Sequence, residues 1–236
     1  MKKIPVMEIF GPTIQGEGMV IGRKTMFVRT GGCDYRCSWC DSAFTWDGSG
    51  KSELLHAEQI VERLEVCGGE RFDHVTISGG NPALHKGIAE LVALLEQRKV
   101  KTAVETQGSI WQDWLLDITD VTISPKPPSS KMDTDFAKLD DFVGKLDERQ
   151  MSLKVVVFDE EDFAYACDVH LRYPNVPFYL QVGNADTHTS DQETLLQRSL
   201  HRYEWLIEKA MDEPIMNDAR VLPQLHTFLW GNKRGV

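Results

Sequence analysis

The sequence predicts an α/β chain, a partial (incomplete) TIM-like barrel of about six parallel strands with crossover helices, forming a single domain over residues 1–236. Three observations predict it. Short β-rich runs alternate with amphipathic helical patterns, the order that parallel strands joined by crossover helices require. No low-complexity tract, tandem repeat or long linker divides the chain. The strand count falls short of the eight that close a barrel.

The elements follow in order. Residues 25–30, Thr-Met-Phe-Val-Arg-Thr, are β-branched and aromatic enough for a strand. Residues 57–66 predict a helix with Ile60, Val61 and Leu64 on one face, ended by Gly68-Gly69. Residues 74–77 predict the second strand, followed by Ser78-Gly79-Gly80-Asn81-Pro82. Residues 88–97 predict an amphipathic helix through Ile88, Leu91, Val92, Leu94 and Leu95. Residues 101–105 predict a strand closed by Gly108, 111–117 a short helix, and 121–123 a strand running into Ser124-Pro125-Lys126-Pro127-Pro128, where the two prolines start a loop. A helix over 140–147, a strand over 152–158, a helix over 161–171, a strand over 178–182 and a long helix over 192–211 complete the pattern. In such folds chemistry collects on the loops after the C-terminal ends of strands.

Composition narrows the class of protein. Hydrophobic residues at 42% and charged residues at 26% exclude collagen-like and disordered chains. The 26 Lys and Arg against 36 Asp and Glu leave a net charge of −10, the wrong sign for binding the phosphates of duplex nucleic acid directly. No apolar run is long enough to span a bilayer, so no membrane contact is expected. Lys2 and Lys3 precede no uninterrupted apolar segment, so no signal peptide is expected. The five cysteines, an odd number, then indicate reduced thiols in a cytoplasm.

Three of those cysteines, Cys33, Cys37 and Cys40, fall within eight residues, in a loop over 31–42 that directly follows a strand. Three thiolates so close can converge on one centre; the plainer readings are chance clustering or a structural zinc. A structural zinc would need a fourth ligand. None is near: His56 is sixteen residues beyond Cys40, and Cys67 lies behind a helix. A four-iron cluster normally takes four cysteines, so three leave one iron open to substrate or cofactor. Cys67 and Cys167 fall in helical patterns and are expected to be small buried hydrophobes. Trp111, Trp114, Trp205 and Trp230 are expected in the core or at a dimer interface.

The Cys33-x3-Cys37-x2-Cys40 spacing, with Trp39 before the last cysteine, resembles the hallmark of the radical S-adenosylmethionine (SAM) superfamily. The resemblance implies a [4Fe-4S] cluster on Cys33, Cys37 and Cys40, with SAM chelated at the open iron. Reductive cleavage then yields methionine and a 5′-deoxyadenosyl radical that abstracts a substrate hydrogen. Cofactor chemistry of this kind leaves the protein to bind, orient and exclude, and no side chain is assigned a catalytic step of its own. Ser78-Gly79-Gly80-Asn81-Pro82 resembles the superfamily's Gly-Gly-Glu-Pro segment, with Asn81 in place of the glutamate. That departure leaves Gly80, through its backbone, as the better candidate for the methionine amino group. Alone, Gly79-Gly80 is a turn.

Further segments resemble the 7-carboxy-7-deazaguanine synthase family over nearly the whole chain. They are Gln15-Gly16-Glu17-Gly18, Arg29, Cys40-Asp41-Ser42, Glu105-Thr106-Gln107-Gly108, Ser124-Pro125-Lys126 and Gln224-Leu225-His226. The segment over 8–18, with Gly11, Pro12, Gly16 and Gly18, is expected to be a loop. Gln15 and Glu17 in it offer hydrogen-bonding groups for the edge of a flat heterocycle. The resemblance implies conversion of 6-carboxy-5,6,7,8-tetrahydropterin to 7-carboxy-7-deazaguanine and ammonia by hydrogen abstraction and ring contraction. Such a step serves 7-deazapurine synthesis, including queuosine of tRNA, with SAM recycled and Mg²⁺ assisting. It further implies a substrate pocket of Ile14, Gln15, Gly16, Glu17, Arg29, Ser78 and His226. SAM contacts fall at Trp39, Cys40, Asp41, Gly80, Ser124, Pro125 and Lys126, and Mg²⁺ at Ser42. Arg29 suits an anion because its planar fork pairs two oxygens, although a strand salt bridge is the plainer role. Ser42 suits Mg²⁺, which prefers oxygen donors, although loop serines usually cap or turn. His226 would otherwise be a surface residue. A homodimer and an external electron donor such as flavodoxin are also implied.

Two other readings are weighed. A glycyl-radical activase, or another radical SAM enzyme, shares the three-cysteine loop but gives Gln15-Gly16-Glu17 no purpose. A non-catalytic iron–sulfur or zinc module would differ in metal content and would not cleave SAM.

Overall fold

A computed structural model describes residues 2–236. One nine-stranded sheet runs through it. In chain order its strands are β1 (Ile4–Ile14), β2 (Lys24–Thr30), β3 (Glu53–Leu55), β4 (His74–Gly79), β5 (Lys101–Thr106), β6 (Asp120–Ile123), β7 (Met151–Val157), β8 (Phe178–Val182) and β9 (Arg220–Leu222). The spatial order is β3-β1-β2-β4-β5-β6-β7-β8-β9. From β2 to β9 every neighbouring pair is parallel, whereas β1 is antiparallel to both β2 and β3. β3 and β9 are the two edges, so the barrel is incomplete, as predicted.

The helices are α1 (Ala57–Gly68), α2 (Ile88–Gln97), α3 (Phe136–Lys145), α4 (Glu160–Arg172), α5 (Gln192–Asp212) and α6 (Leu225–Trp230). The predicted face of α1 is the one that packs: Ile60, Val61 and Leu64 are buried, with Ala57. α2 buries Ile88, Leu91, Val92 and Leu95 and packs beside α1. Burying an aliphatic side chain of this size contributes about 1.5–3 kcal/mol, so these stripes hold the helices to the sheet. Side-chain caps set several starts. Asp159 and Asp191 accept from Asp162 N and Thr194 N at the heads of α4 and α5. Asp135 accepts from Ala137 N and Lys138 N, so α3 begins four residues before the predicted 140. The predicted short helix over 111–117 is a 3-10 turn, Asp113–Asp117.

All six predicted strands form, and a seventh parallel strand, β9, joins them. Three residues are too few to show a periodicity. One expectation is corrected. Most of the segment over 8–18 is not loop but the second half of β1, the longest strand. β1 pairs Phe10 with Phe27 and Thr13 with Thr25, with a register shift between them that passes over Gly11-Pro12. β3 pairs only with Ile4, Pro5 and Val6, so Pro12 faces no partner on that side and costs the sheet no hydrogen bond. The loop proper begins at Gln15.

Two smaller expectations are also corrected. Cys67 is exposed, not buried, at the end of α1, where its Sγ donates to Gly11 O at 3.3 Å. Cys167 is half-buried and packs on the core. Of the four tryptophans, Trp114 is in the core, Trp111 and Trp205 pack on it, and Trp230 is half-buried at the end of α6. No helix of the described residues is long and apolar enough to cross a membrane.

Candidate functional site

Side chains on one face of β2, β5 and β7 line a single cavity. Phe27 and Arg29 contribute from β2, Glu105 from β5, and Lys154 and Val156 from β7. The i, i+2 spacing within β2 and within β7 puts each pair on the same side of the sheet. The loop after β1 turns under this face, where Gly18 lies against Thr122 of β6. The cavity therefore has a floor made by Gln15, Gly16 and Glu17 and a rim made by the loops after β2, β4, β5 and β6. Residues 231–236 complete the rim: Arg234 stacks on Phe44 at 3.4 Å and donates to Glu8 Oε1.

The cluster loop brings Cys33, Cys37 and Cys40 to the cavity, all free thiols. N–H groups point at two of them: Tyr35 N to Cys33 Sγ at 3.4 Å and Trp46 Nε1 to Cys40 Sγ at 3.5 Å. Gln107 Nε2 lies 3.8 Å from Cys33 Sγ and donates to Asp34 Oδ1 at 2.5 Å. Burial pushes all three thiols up, and with Asp41 beside it Cys40 reaches about 11. Thiolates here would need a strong local cation, which is what a metal centre supplies. Among the described residues no fourth cysteine lines the cavity. The donor set thus fits a cluster with one open position.

Gly80 shows how closely the β4 loop meets the cluster loop. A Cβ there would lie 2.0 Å from Gly32 O and 2.9 Å from Cys33 Cβ. Asn81 does not line the cavity. It is fully buried behind the loop, where its Nδ2 donates to Asp34 Oδ1 at 2.8 Å and to Ser109 Oγ at 3.2 Å. Ser78 Oγ is buried at the cavity without a partner, a hydroxyl still able to hydrogen-bond a ligand. Trp39 packs against Phe158 with centroids 5.0 Å apart and ring planes tilted by 38°, and Lys126 Nζ reaches Ser124 Oγ at 3.0 Å. Trp39, Asp41, Ser124 and Lys126 all line the cavity. Pro125, between Ser124 and Lys126 in the same loop, is buried.

On the floor side, Ile14, Gln15, Gly16, Glu17, Arg29, Ser78 and His226 line this same cavity, although Gln15 and His226 are 211 positions apart. Gly16 permits the approach: a Cβ there would lie 2.7 Å from His226 Nδ1. Arg29 Nε donates to Glu8 Oε2 at 3.1 Å and its Nη1 to Ser42 Oγ at 3.1 Å, with Phe10 and Phe44 on its faces. It is thus both the strand salt bridge and a cavity cation. Glu17, Asp41 and His226 each offer a donor atom, all within 4.8 Å of one another, a set of oxygen and nitrogen donors beside Ser42.

The residues that sequence reasoning left unassigned are the charged centre of the floor. Lys154 Nζ donates to Glu17 Oε2 at 2.6 Å and lies 3.6 Å from Glu105 Oε2. Burial alone would raise Glu17, but Lys154 and His226 outweigh it and hold the carboxyl well below the usual range. Burial pushes Glu105 up, with Lys154 acting against it. Burial would lower Lys154, yet Glu105 and Glu17 hold it above its ordinary value. One sequence signal could have found it: a lone lysine in the otherwise uncharged strand over 152–158.

Comparison with known proteins places this geometry among relatives. A family model described as the radical SAM superfamily matches residues 27–130. The chain is 63% identical to a 7-carboxy-7-deazaguanine synthase of Bacillus cereus, covering 100% of both chains. It is 59% identical to that of Bacillus subtilis, over 100% of this chain and 99% of the relative. The solved QueE of Escherichia coli shares the fold with a TM-score of 0.70 at 23% identity, covering 95% of each chain. Streptococcus suis SuiB bound to S-adenosylmethionine is a more distant fold neighbour. Its TM-score is 0.56 at 15% identity, over 83% of this chain and 49% of that one.

Proposed function

The chain belongs to the 7-carboxy-7-deazaguanine synthase family of the radical SAM superfamily, and we propose a division of labour among its cavity residues that follows from that membership. It is a radical SAM lyase that converts 6-carboxy-5,6,7,8-tetrahydropterin to 7-carboxy-7-deazaguanine and ammonia by hydrogen abstraction and ring contraction. Its cofactors are a [4Fe-4S] cluster and SAM. When bound, they supply one electron to the sulfonium and, from its cleavage, the radical that takes the substrate hydrogen.

The remaining work falls to side chains. Cys33, Cys37 and Cys40 hold the cluster. Trp39, Cys40, Asp41, Gly80, Ser124, Pro125 and Lys126 receive SAM at the rim, with Gly80 offering backbone rather than side chain. Ile14, Gln15, Gly16, Glu17, Arg29, Ser78 and His226 receive the pterin. Arg29 answers its carboxylate, and Gln15 and Glu17 answer its nitrogen-bearing edge. The observation that carries this reading is the convergence of both groups, from opposite ends of the chain, on one cavity with the three thiols. The chain is read as one domain over residues 1–236. A homodimer, a one-electron donor such as flavodoxin and a cytoplasmic setting are carried over from the family resemblance. Anaerobic reconstitution with SAM, reductant and the carboxy-pterin, followed by mass spectrometry, tests the reading. Ring-contracted product is expected. SAM cleavage with no such product, but with a radical on an added partner protein, would favour the activase reading instead.

Replacing one of Gln15, Glu17, Arg29 or His226 by alanine is expected to weaken the substrate's hold about 5- to 150-fold. A buried partner left unpaired costs roughly 1–3 kcal/mol, and about 1.4 kcal/mol is tenfold. Cluster content and uncoupled SAM cleavage should persist, because none of the four is a thiolate. Equal loss of SAM cleavage in any variant would remove that residue from the substrate side.

Ser42 is proposed as the Mg²⁺ ligand, supported by its hydroxyl at the cavity and the neighbouring donors of Glu17, Asp41 and His226. Its Oγ now accepts from Arg29, so a bound ion would compete with that guanidinium. Turnover of the natural sequence should rise with Mg²⁺, and that of Ser42→Ala should rise less. Identical Mg²⁺ responses would rule the ligand role out.

A further inference from the structure

β7 carries a lysine where a parallel strand buried on both faces ordinarily carries an aliphatic side chain. All seven residues of Met151–Val157 are buried, and Lys154 is 3% exposed. An ammonium at such a position is costly unless it is paired and hydrogen-bonded. Lys154 meets that condition with two carboxylates at once, Glu17 at 2.6 Å and Glu105 at 3.6 Å. The second oxygen of each is also held. Gln224 Nε2 donates to Glu17 Oε1 at 3.1 Å, and Gln15 Nε2 donates to Glu105 Oε1 at 3.2 Å. His226 Nδ1 lies 3.8 Å from Glu17 Oε1. Among the described residues, no other Lys or Arg is within ion-pair distance of either carboxylate.

A merely structural ion pair has no reason to face a ligand cavity, and all of these side chains line it. Lys154 thus bridges two carboxyl groups, one from the loop after β1 and one from β5. Without the ammonium each carboxyl keeps only the amide contact to its second oxygen and is free to turn away from the cavity.

We propose that Lys154 is a positioning residue for the substrate: its ammonium anchors the Glu17 and Glu105 carboxyl groups and aims them at the amino-bearing edge of a nitrogen heterocycle, without itself touching the reacting atoms. The proposal rests on the reading of the cavity floor given above. It makes Lys154 a determinant of specificity, because a ring without that amino group leaves a buried carboxylate unpaired.

Equilibrium binding separates this role from a structural one. The reconstituted protein, with SAM and no reductant, is titrated calorimetrically with 6-carboxy-5,6,7,8-tetrahydropterin. Lys154→Met should bind the pterin at least 30-fold more weakly, and Lys154→Arg, which keeps the charge, should come back to within fivefold of the natural sequence. Iron content and SAM cleavage on reduction should match in all three. Binding by Lys154→Met within threefold of the natural sequence would overturn the proposal. So would a parallel loss of iron and SAM cleavage, which marks a residue that only holds the fold. If Lys154→Met does not fold, Lys154→Met/Glu105→Gln removes one charge of each sign. It should bind at least tenfold more weakly than Glu105→Gln alone, and equal binding overturns the proposal. If the natural sequence does not bind the pterin at all, the reading of the floor as a substrate site falls first.

Discussion

Cys37→Ala is expected to abolish turnover and SAM cleavage, and to take bound iron from about four per chain to near zero, because a cubane held by three thiolates has no spare ligand. Cys33→Ala and Cys40→Ala should do the same. The structure supplies no substitute. Cys67 is exposed at the end of α1 with its Sγ on Gly11 O, Cys167 packs on the core, and neither lines the cavity. Both should therefore tolerate alanine with full iron content. Nor would the loop simply collapse around the gap, since it is tied down elsewhere. Ser38 N donates to Ser130 O at 3.0 Å, Trp39 Nε1 to Ser129 Oγ at 2.9 Å, and Gln107 and Asn81 both hold Asp34. The variants should keep their secondary structure and lose the centre. Anaerobic iron and sulfide analysis with circular dichroism checks this. A Cys33→Ala protein that still cleaved SAM at the natural rate would sink the assignment.

Gly80→Ala is expected to be nearly as damaging, for a reason with no chemistry in it. The added methyl would sit 2.0 Å from Gly32 O and 2.6 Å from its carbonyl carbon, far inside contact distance, against backbone rather than a flexible side chain. Either β4's end or the cluster loop must move. The link between them is short: Gly80 N donates to Thr30 O and Asn81 N to Gly32 O at 3.2 and 2.8 Å. Moving it shifts Cys33 and its neighbours, and a displacement of about 1 Å at such a site costs on the order of a hundredfold in rate. SAM affinity should fall together with turnover, whereas Gly144→Ala, whose Cβ meets nothing within 4 Å, should leave both unchanged. A Gly80→Ala protein that binds SAM as tightly as the natural sequence would show that the backbone approach is not needed.

The local half of this molecule was legible. The two helices given an apolar face in advance, α1 and α2, bury that face, because the 3.6-residue period is a property of the segment alone. The parallel alternation was legible for the same reason. The short edge elements were not. β3 and β9 have three residues each and acquire their strand character from neighbours rather than from pattern. β1 was hidden by Gly11-Pro12, whose turn chemistry argued against a strand that a register shift in fact accommodates.

The sequence by itself determined the class of chemistry. Three cysteines at that spacing, with no fourth nearby, leave a metal centre one protein ligand short, and their resemblance to the radical SAM hallmark implies an open iron. It also determined the family, through motifs short enough to be local. Only the tertiary structure decided what the cavity floor is made of. Glu17, Glu105 and Lys154 come from a loop and two strands that are not neighbours in the sheet, and their charges matter only because burial strips away the water that would otherwise screen them. It likewise decided that His226 faces Gly16 and that Asn81 works behind the cluster loop. Such contacts depend on sheet order and register. These are set by the packing of the whole chain and leave no spacing in the sequence to read.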